Sequence, residues 1–110
     1  PEQVRILPVT DRALECARGI EAMLAGKGVK VTIDNRNEKI GYKIREARMA
    51  KLPYMLIVGA QEEEEGLVSV RSRFAGDEGQ KSLDAFIDQI CKEIRTKEIR
   101  EEIPQEDNAK

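Results

Sequence analysis

Two stretches of alternating apolar and polar residues predict half-buried strands. Residues 29–33 place valine and isoleucine at every second position, with lysine and threonine between them. Residues 67–73 alternate in the same way, and Arg71 and Arg73 share the polar face. A period of two is typical of a strand that buries one face and exposes the other.

Two further strands are predicted by clusters of apolar residues. Residues 54–58 read Tyr-Met-Leu-Ile-Val, as expected for a central strand buried on both faces. Val4, Ile6 and the neighbouring Leu7 predict a shorter strand that Pro8 closes. Both clusters lie next to segments with helical periodicity, which favours an α/β arrangement.

Three segments carry apolar residues at helical spacing. The first runs from Thr10, a good N-cap residue, to about Lys27, and the second covers about residues 38–51. The third follows Ser82, a further N-cap residue, and carries a clean apolar stripe. The second helix ends before Pro53, because the residue preceding proline disfavours helical geometry.

The connections complete a β-α-β-α-β-β-α order, with room for a short extra strand before the last helix. An acidic loop is predicted at 59–66, with four consecutive glutamates, and a glycine-rich loop at 74–80. Helix-linked strands predict a largely parallel sheet with an edge hairpin. We expect one domain over 1–96 and a charged, partly frayed tail over 97–110. The chain begins at Pro1 without methionine, so we expect a domain of a longer protein.

Composition excludes several kinds of active site. The chain has no histidine, so catalytic triads and Cys-His dyads are excluded, together with histidine-containing zinc sites. Its two cysteines, Cys16 and Cys91, form no C-x-x-C pair, and free thiols fit a reduced, cytoplasmic protein. No glycine-rich nucleotide-binding motif occurs, which disfavours a small-molecule enzyme, and no apolar run could span a membrane.

The distribution of charge indicates an anionic partner. The 19 basic and 21 acidic residues give a net charge of −2, which by itself disfavours nucleic acid. Residues 36–51 and 71–73 nevertheless hold eight basic and two acidic residues, leaving eleven and nineteen elsewhere. A basic helix beside an arginine pair suits phosphate or a guanine edge. A solvated helix face and a protected edge strand remain the structural alternatives.

Three motifs resemble a known family. R-N-E-K-I-G-Y-K-I-R-E at 36–46, P-Y-M-L at 53–56 and V-S-V-R-S-R at 68–73 resemble the C-terminal anticodon-binding domain of threonyl-tRNA synthetase, a class II aminoacyl-tRNA synthetase. The likeness covers nearly the whole chain. It implies an α/β fold with a mixed, mostly parallel sheet of about five strands flanked by three helices.

The resemblance also implies recognition of the second and third anticodon bases of threonine tRNA. Asn37 and Arg71 correspond to residues that contact the guanine, and Glu62 to one that contacts the uracil. These residue types suit their roles, because arginine donates twice to guanine and glutamate accepts from uracil N3–H. Asn37 could instead cap the second helix. The predicted RNA-binding set is completed by basic residues that contact bases or phosphates: Arg36, Lys39, Lys43, Arg45, Arg48, Lys51 and Arg73.

The implied partners are the anticodon loop of threonine tRNA and the catalytic domain of the same synthetase, with no DNA and no membrane. This domain itself would be non-catalytic, since ATP and zinc would belong to that catalytic domain. We therefore expect no cofactor here. The alternative is a protein-interaction module that uses the same fold for subunit contact.

Overall fold

Helices cover both faces of a five-stranded mixed sheet. The computed structural model describes residues 2–73 and 76–102, with residues 97–102 as backbone only. The elements are, in chain order, β1 (Val4–Pro8), a 3₁₀ turn (Asp11–Ala13), α1 (Leu14–Gly26), β2 (Val31–Ile33), α2 (Ile40–Met49), β3 (Tyr54–Val58), α3 (Ala60–Glu65), β4 (Leu67–Ser72), β5 (Gly76–Ser82) and α4 (Leu83–Glu102).

The strand order is β2-β1-β3-β4-β5. Strand β1 pairs in parallel with β2 and with β3, whereas β3-β4 and β4-β5 pair antiparallel. The predicted mixed α/β sheet with an edge hairpin is therefore confirmed, although only half of the strand pairings are parallel.

Helices α1 and α4 pack on one face of the sheet and form the larger core. The strands contribute Ile6, Leu56 and Val70, all fully buried, and α4 contributes Phe86. Tyr54 meets the Phe86 ring edge-on, with 5.4 Å between ring centroids. These contacts account for the apolar stripe along α4 and for the continuous apolar run in β3.

Helix α2 packs alone on the opposite face, over β1 and β3. Its Ala47, followed by Leu52, is buried against Leu7 and Met55. In the described part of this face β4 and β5 lie beyond α2 and carry half-exposed and polar side chains. Arg71 is the cross-strand partner of Met55, so its side chain emerges on this face beside α2.

The segment predicted as an acidic loop at 59–66 contains helix α3, so that prediction was wrong. Glu62, in the first turn, accepts a hydrogen bond from the Gly59 backbone N–H at 2.9 Å, which satisfies a donor that the helix itself leaves unpaired. Gly66 ends the helix with φ of +70°, a conformation that glycine adopts without strain. Local capping therefore overcomes the repulsion among consecutive glutamates.

Residues 76–82 form the edge strand β5, so the short extra strand expected before the last helix is present and the glycine-rich loop predicted at 74–80 was wrong in part. Glycine is uncommon in strands, and this strand has no apolar alternation that could indicate it. Pairing with β4, including an irregularity between Val70 and Arg71, determines its conformation.

The predicted ends of the first and last helices are confirmed only in part. Ser82 caps α4 as predicted, since its Oγ accepts from the Ala85 N–H at 3.1 Å. Thr10 precedes the 3₁₀ turn, but its side chain makes no capping hydrogen bond. The α4 backbone continues to Glu102, beyond the predicted boundary at 96, and the tail from residue 103 lies outside the described residues.

The described helices include none with the length and hydrophobicity needed to cross a bilayer. Cys16 and Cys91 are half-buried free thiols.

Candidate nucleic-acid interface

Three arginines surround a cleft between the end of α2 and the part of the hairpin where β4 ends and β5 begins. The cleft has a volume of about 170 Å³. Leu52 and Met55, both nearly buried, provide an apolar floor. We call it the arginine cleft, and its lining residues are Arg48, Leu52, Met55, Arg71, Ser72, Arg73 and Gly76. Guanidinium groups around an apolar floor suit a planar, hydrogen-bonding ligand.

Among the described residues, Arg71 has no partner that occupies most of its hydrogen-bonding capacity. Its closest ion-pair partner is Asp77, with 3.9 Å between the charged atoms, and about a third of the Arg71 side chain is exposed. Such a long, solvent-exposed pair contributes little to stability. Arg73 is exposed and donates from Nη1 to the Lys51 carbonyl at 3.2 Å. Arg71 therefore remains available to an incoming group.

Lys51 has a left-handed backbone, with φ of +59°. The Lys51 N–H donates to the Arg48 carbonyl at 3.0 Å, and the Leu52 N–H donates to the Ala47 carbonyl at 3.4 Å. These two bonds form a Schellman motif that ends α2, in a position that glycine normally occupies. The strained residue borders the arginine cleft, where its carbonyl holds Arg73.

Glu62 lies further along β4 from this cleft, where it bonds to Ser69 in the middle of the strand. Its Oε1 accepts from the Gly59 N–H, and its Oε2 accepts from Ser69 Oγ at 3.0 Å and from Gln80 Nε2 at 2.9 Å. Burial raises the pKa of this carboxyl, but hydrogen bonds from Gln80, Gly59 and Ser69 outweigh it and leave the pKa below its ordinary value. The group is therefore ionised at neutral pH and fixed in orientation.

Asn37 lines a second, polar cleft of about 240 Å³ at the carboxyl ends of β1 and β2. Helices α1 and α2 follow these adjacent strands and pack on opposite faces of the sheet. The N-cap of α2 is Lys39, and no described residue bonds to the Asn37 side chain. The alternative capping role is thus unsupported, and the exposed amide faces solvent.

The structure contradicts one member of the predicted RNA-binding set, Lys43, and shows that a second, Arg36, is exposed but bonded within the protein. Lys43 is only 3% exposed, and its Nζ donates to the Asp34 carbonyl at 3.1 Å, so it is not a surface phosphate ligand. Arg36 bonds to Asp34 at 2.9 Å and also to Glu46, while its guanidinium lies over the Tyr42 ring. The Arg36 bonds hold the pKa of Asp34 below its ordinary value, despite burial. Both cations therefore stabilise the β2-α2 turn.

Four other predicted cations on or next to α2 are exposed: Lys39, Arg45, Arg48 and Lys51. They do not share one side. Arg48 lines the arginine cleft, whereas Arg45 lines a groove with Arg5 and Met49 on the other flank of the helix. A ligand in the arginine cleft would therefore contact Arg48 and leave Arg45 to a more distant part of the same molecule.

Asn37 and Arg71 line different clefts at opposite ends of α2. The ten residues of α2 separate these ends by about 15 Å. The two side chains therefore fit contacts to different nucleotides better than contacts to one guanine.

Sequence reasoning missed Gln80 and the hydrogen-bonding role of Ser69. Ser69 was correctly predicted on the polar face of its strand, but nothing local indicated its bond to Glu62. Gln80 was predicted in a loop, and its partner Glu62 is 18 residues away in the chain. A prediction that residues 76–82 form a strand paired with β4 would have placed Gln80 opposite Ser69 and near Glu62.

A family model described as an anticodon binding domain matches residues 3–102. This match covers most of the chain, over the elements that build both clefts. The chain belongs to the anticodon-binding domain family.

Curated relatives of this anticodon-binding domain are threonine–tRNA ligases. The chain is 56% identical over 99 residues to that of Caldanaerobacter subterraneus subsp. tengcongensis, covering 90% of this chain and 15% of the relative. It is 50% identical over 98 residues to the threonine–tRNA ligase of Clostridioides difficile, covering 89% of this chain and 15% of that relative. The domain thus spans about 15% of the length of these relatives.

Solved structures give the same result for the fold. The RNA-binding domain of threonyl-tRNA synthetase from Cryptosporidium parvum Iowa II has a TM-score of 0.75 and 30% identity, covering 81% of this chain and 22% of that chain. Prolyl-tRNA synthetase from Cryptosporidium parvum, complexed with halofuginone and AMPPNP, has a TM-score of 0.76 and 25% identity. The match covers 84% of this chain and 20% of that chain. Together these matches support the anticodon-binding prediction and not the protein-interaction alternative.

Proposed function

We propose that this domain recognises the second and third anticodon bases of threonine tRNA, as one part of a cytoplasmic threonine–tRNA ligase. The observation that carries the proposal is the arginine cleft, in a chain of the anticodon-binding family whose relatives are threonine–tRNA ligases. A base in a loop can leave its stack and be recognised on its edges, which is how most RNA sequence is distinguished.

Arg71 takes the guanine of the second position in this proposal. Its guanidinium can donate to both O6 and N7 of one guanine, and its long contact with Asp77 is readily exchanged for them. Arg48 and Arg73, on the same cleft, are placed to contact the adjoining phosphates. Asn37 contacts a different nucleotide, because it lies at the far end of α2.

Glu62 takes the uracil of the third position. A carboxylate can accept from uracil N3–H, and cytosine presents no such donor there. The ionised state that its hydrogen bonds favour is the state that accepts. Its three glutamate neighbours are exposed and have no comparable set of donors among the described residues.

Arg71→Ala tests the assignment of the guanine. We expect a loss of about 5- to 150-fold in affinity for a threonine anticodon stem-loop, the scale of one bidentate base contact. We also expect preference for guanine over adenine at the second position to collapse. Fluorescence anisotropy with the two stem-loops measures both quantities.

Arg18→Ala is the matched control, since Arg18 is exposed on α1 on the opposite face of the sheet. It should leave affinity and preference near wild type. If Arg71→Ala weakens both stem-loops equally, Arg71 contacts only phosphate and the assignment is wrong.

A further inference from the structure

The Glu62 carboxylate is held by donors from three separate elements. Gly59 donates from the turn before α3, Ser69 from β4 and Gln80 from β5. An alanine Cβ at Gly59 would lie 3.0 Å from Glu62 Oε1, so even this backbone position is fitted to the carboxylate. The orientation of Glu62 therefore depends on the relative positions of all three elements.

Gln80 is the exposed donor of the three. It is the direct cross-strand partner of Ser69, and both side chains reach the same carboxylate oxygen. The Gly59 and Ser69 bonds are partly buried, whereas the Gln80 bond is exposed to solvent. Gln80 thus limits movement of the carboxylate on the side that a ligand approaches.

The same strip of sheet connects this cluster with the arginine cleft. Ser69 and Arg71 lie two residues apart on one face of β4, which corresponds to about 7 Å. A nucleotide chain on this face can therefore place one base at Arg71 and the adjacent base near Glu62. A freely rotating Glu62 carboxylate would discriminate poorly between uracil and cytosine, because recognition of a base edge requires an acceptor held in a fixed position.

We propose that Gln80 is a positioning residue that fixes the Glu62 carboxylate and so determines discrimination at the third anticodon base. The inference rests on the proposed function, since it assigns that base to Glu62. Gln80 acts through Glu62, and the base bonds to the glutamate.

Gln80→Ala is the first test, measured with stem-loops that carry uracil or cytosine at the third position. We expect the affinity ratio of uracil to cytosine to fall about 2- to 10-fold, the effect of one hydrogen bond. Preference for guanine at the second position should persist. In NMR titrations, the Glu62 carboxyl pKa should rise toward its ordinary value, which a merely structural contact elsewhere would not cause.

Gln80→Glu is the second test, because it places a second carboxylate against Glu62. Like charges in contact should displace Glu62 and lower the ratio further than alanine does. Gln61→Ala and Gln61→Glu are the matched controls, since Gln61 is the exposed neighbour on α3 and gives the same changes in size and charge. Both should leave the uracil preference and the Glu62 pKa unchanged.

The outcomes separate the inference from the function on which it rests. A wild-type domain without preference for a threonine anticodon overturns the proposed function and the inference together. A wild-type domain that prefers uracil, with a Gln80→Ala variant of equal preference, overturns the inference alone. Equal losses at the second and third positions in Gln80→Ala would also contradict it, because they indicate general distortion of the face.

Discussion

Some residues that the sequence predicts to contact RNA instead bond to other parts of the protein. Lys43 and Arg36 belong to the most specific motif in the chain, yet their side chains bond within the β2-α2 turn. Asn37, in the same motif, is exposed and unbonded to described residues. The motif therefore combines residues that build the turn with one that the turn presents to solvent.

Lys51 is the residue for which stability and binding should conflict. A left-handed conformation costs a non-glycine residue about 1–2 kcal/mol, and glycine removes this strain. The unfolded chain gains freedom when it carries glycine, which offsets about 0.5–1 kcal/mol of the gain in stability. We expect Lys51→Gly to raise the free energy of unfolding by about 0.5–1 kcal/mol. Denaturant titration measures the change.

Lys51→Ala is the control, because it removes the charge and keeps the strain. Both variants should lose the same small amount of RNA affinity, while only the glycine variant gains stability. A glycine variant less stable than the alanine variant would contradict the strain argument.

At the scale of elements, the attachment of α4 to the sheet includes a polar contact within an apolar interface. The Tyr54 hydroxyl lies 2.7 Å from the Glu93 carboxylate and accepts from Gln89 Nε2 at 3.2 Å. Burial, together with the bond to Glu93, raises the pKa of Tyr54 to about 12. The helix that closes the larger core is thus bonded to the central strand through one phenol.

The Tyr54 pKa gives a prediction for alkaline pH. The folded state retains the proton longer than the unfolded state, whose tyrosine pKa is about 10. The stability that this group contributes is therefore complete below pH 10 and is lost as pH rises toward 12. In Tyr42→Phe, which leaves Tyr54 as the single tyrosine, tyrosinate absorbance should rise with a midpoint near pH 12. A midpoint near pH 10 would show that the hydroxyl is not enclosed.

The elements also show where sequence reasoning ends. Strand β3 and helix α2 were predictable because apolar periodicity and Pro53 determine them locally. The bounds of strand β5 were not, since its glycines carry no pattern and pairing with β4 supplies its structure. The Glu62–Gln80 bond joins positions 18 residues apart, and no spacing rule connects an acidic helix with an edge strand.

At the scale of the whole molecule, the fold determines which charges face one partner. Basic segments 36–51 and 71–73 meet at the arginine cleft, because α2 packs beside β4 on one face of the sheet. The acidic excess is distributed over the remainder of the chain. The net charge of −2 therefore does not represent the surface offered to RNA.

The salt dependence of RNA binding tests this distribution. Each phosphate contact on single-stranded RNA contributes about 0.7 to the slope of log affinity against log salt concentration. We expect Lys39→Gln to reduce the slope by about that amount for every anticodon sequence. Lys27→Gln, at the end of α1, should leave the slope unchanged. Equal slopes for the wild type and Lys39→Gln would exclude a phosphate contact at Lys39.

Among the described strands, β5 has a neighbour on one side only, and none of its residues is fully buried. Segments of this kind open locally at a lower free-energy cost than global unfolding, because few buried contacts are lost. Opening of β5 would withdraw Gln80 from Glu62 while Arg71, on the inner strand, keeps its position. Warming would then relax selectivity at one base well before the domain melts, so fidelity would have a lower thermal limit than binding.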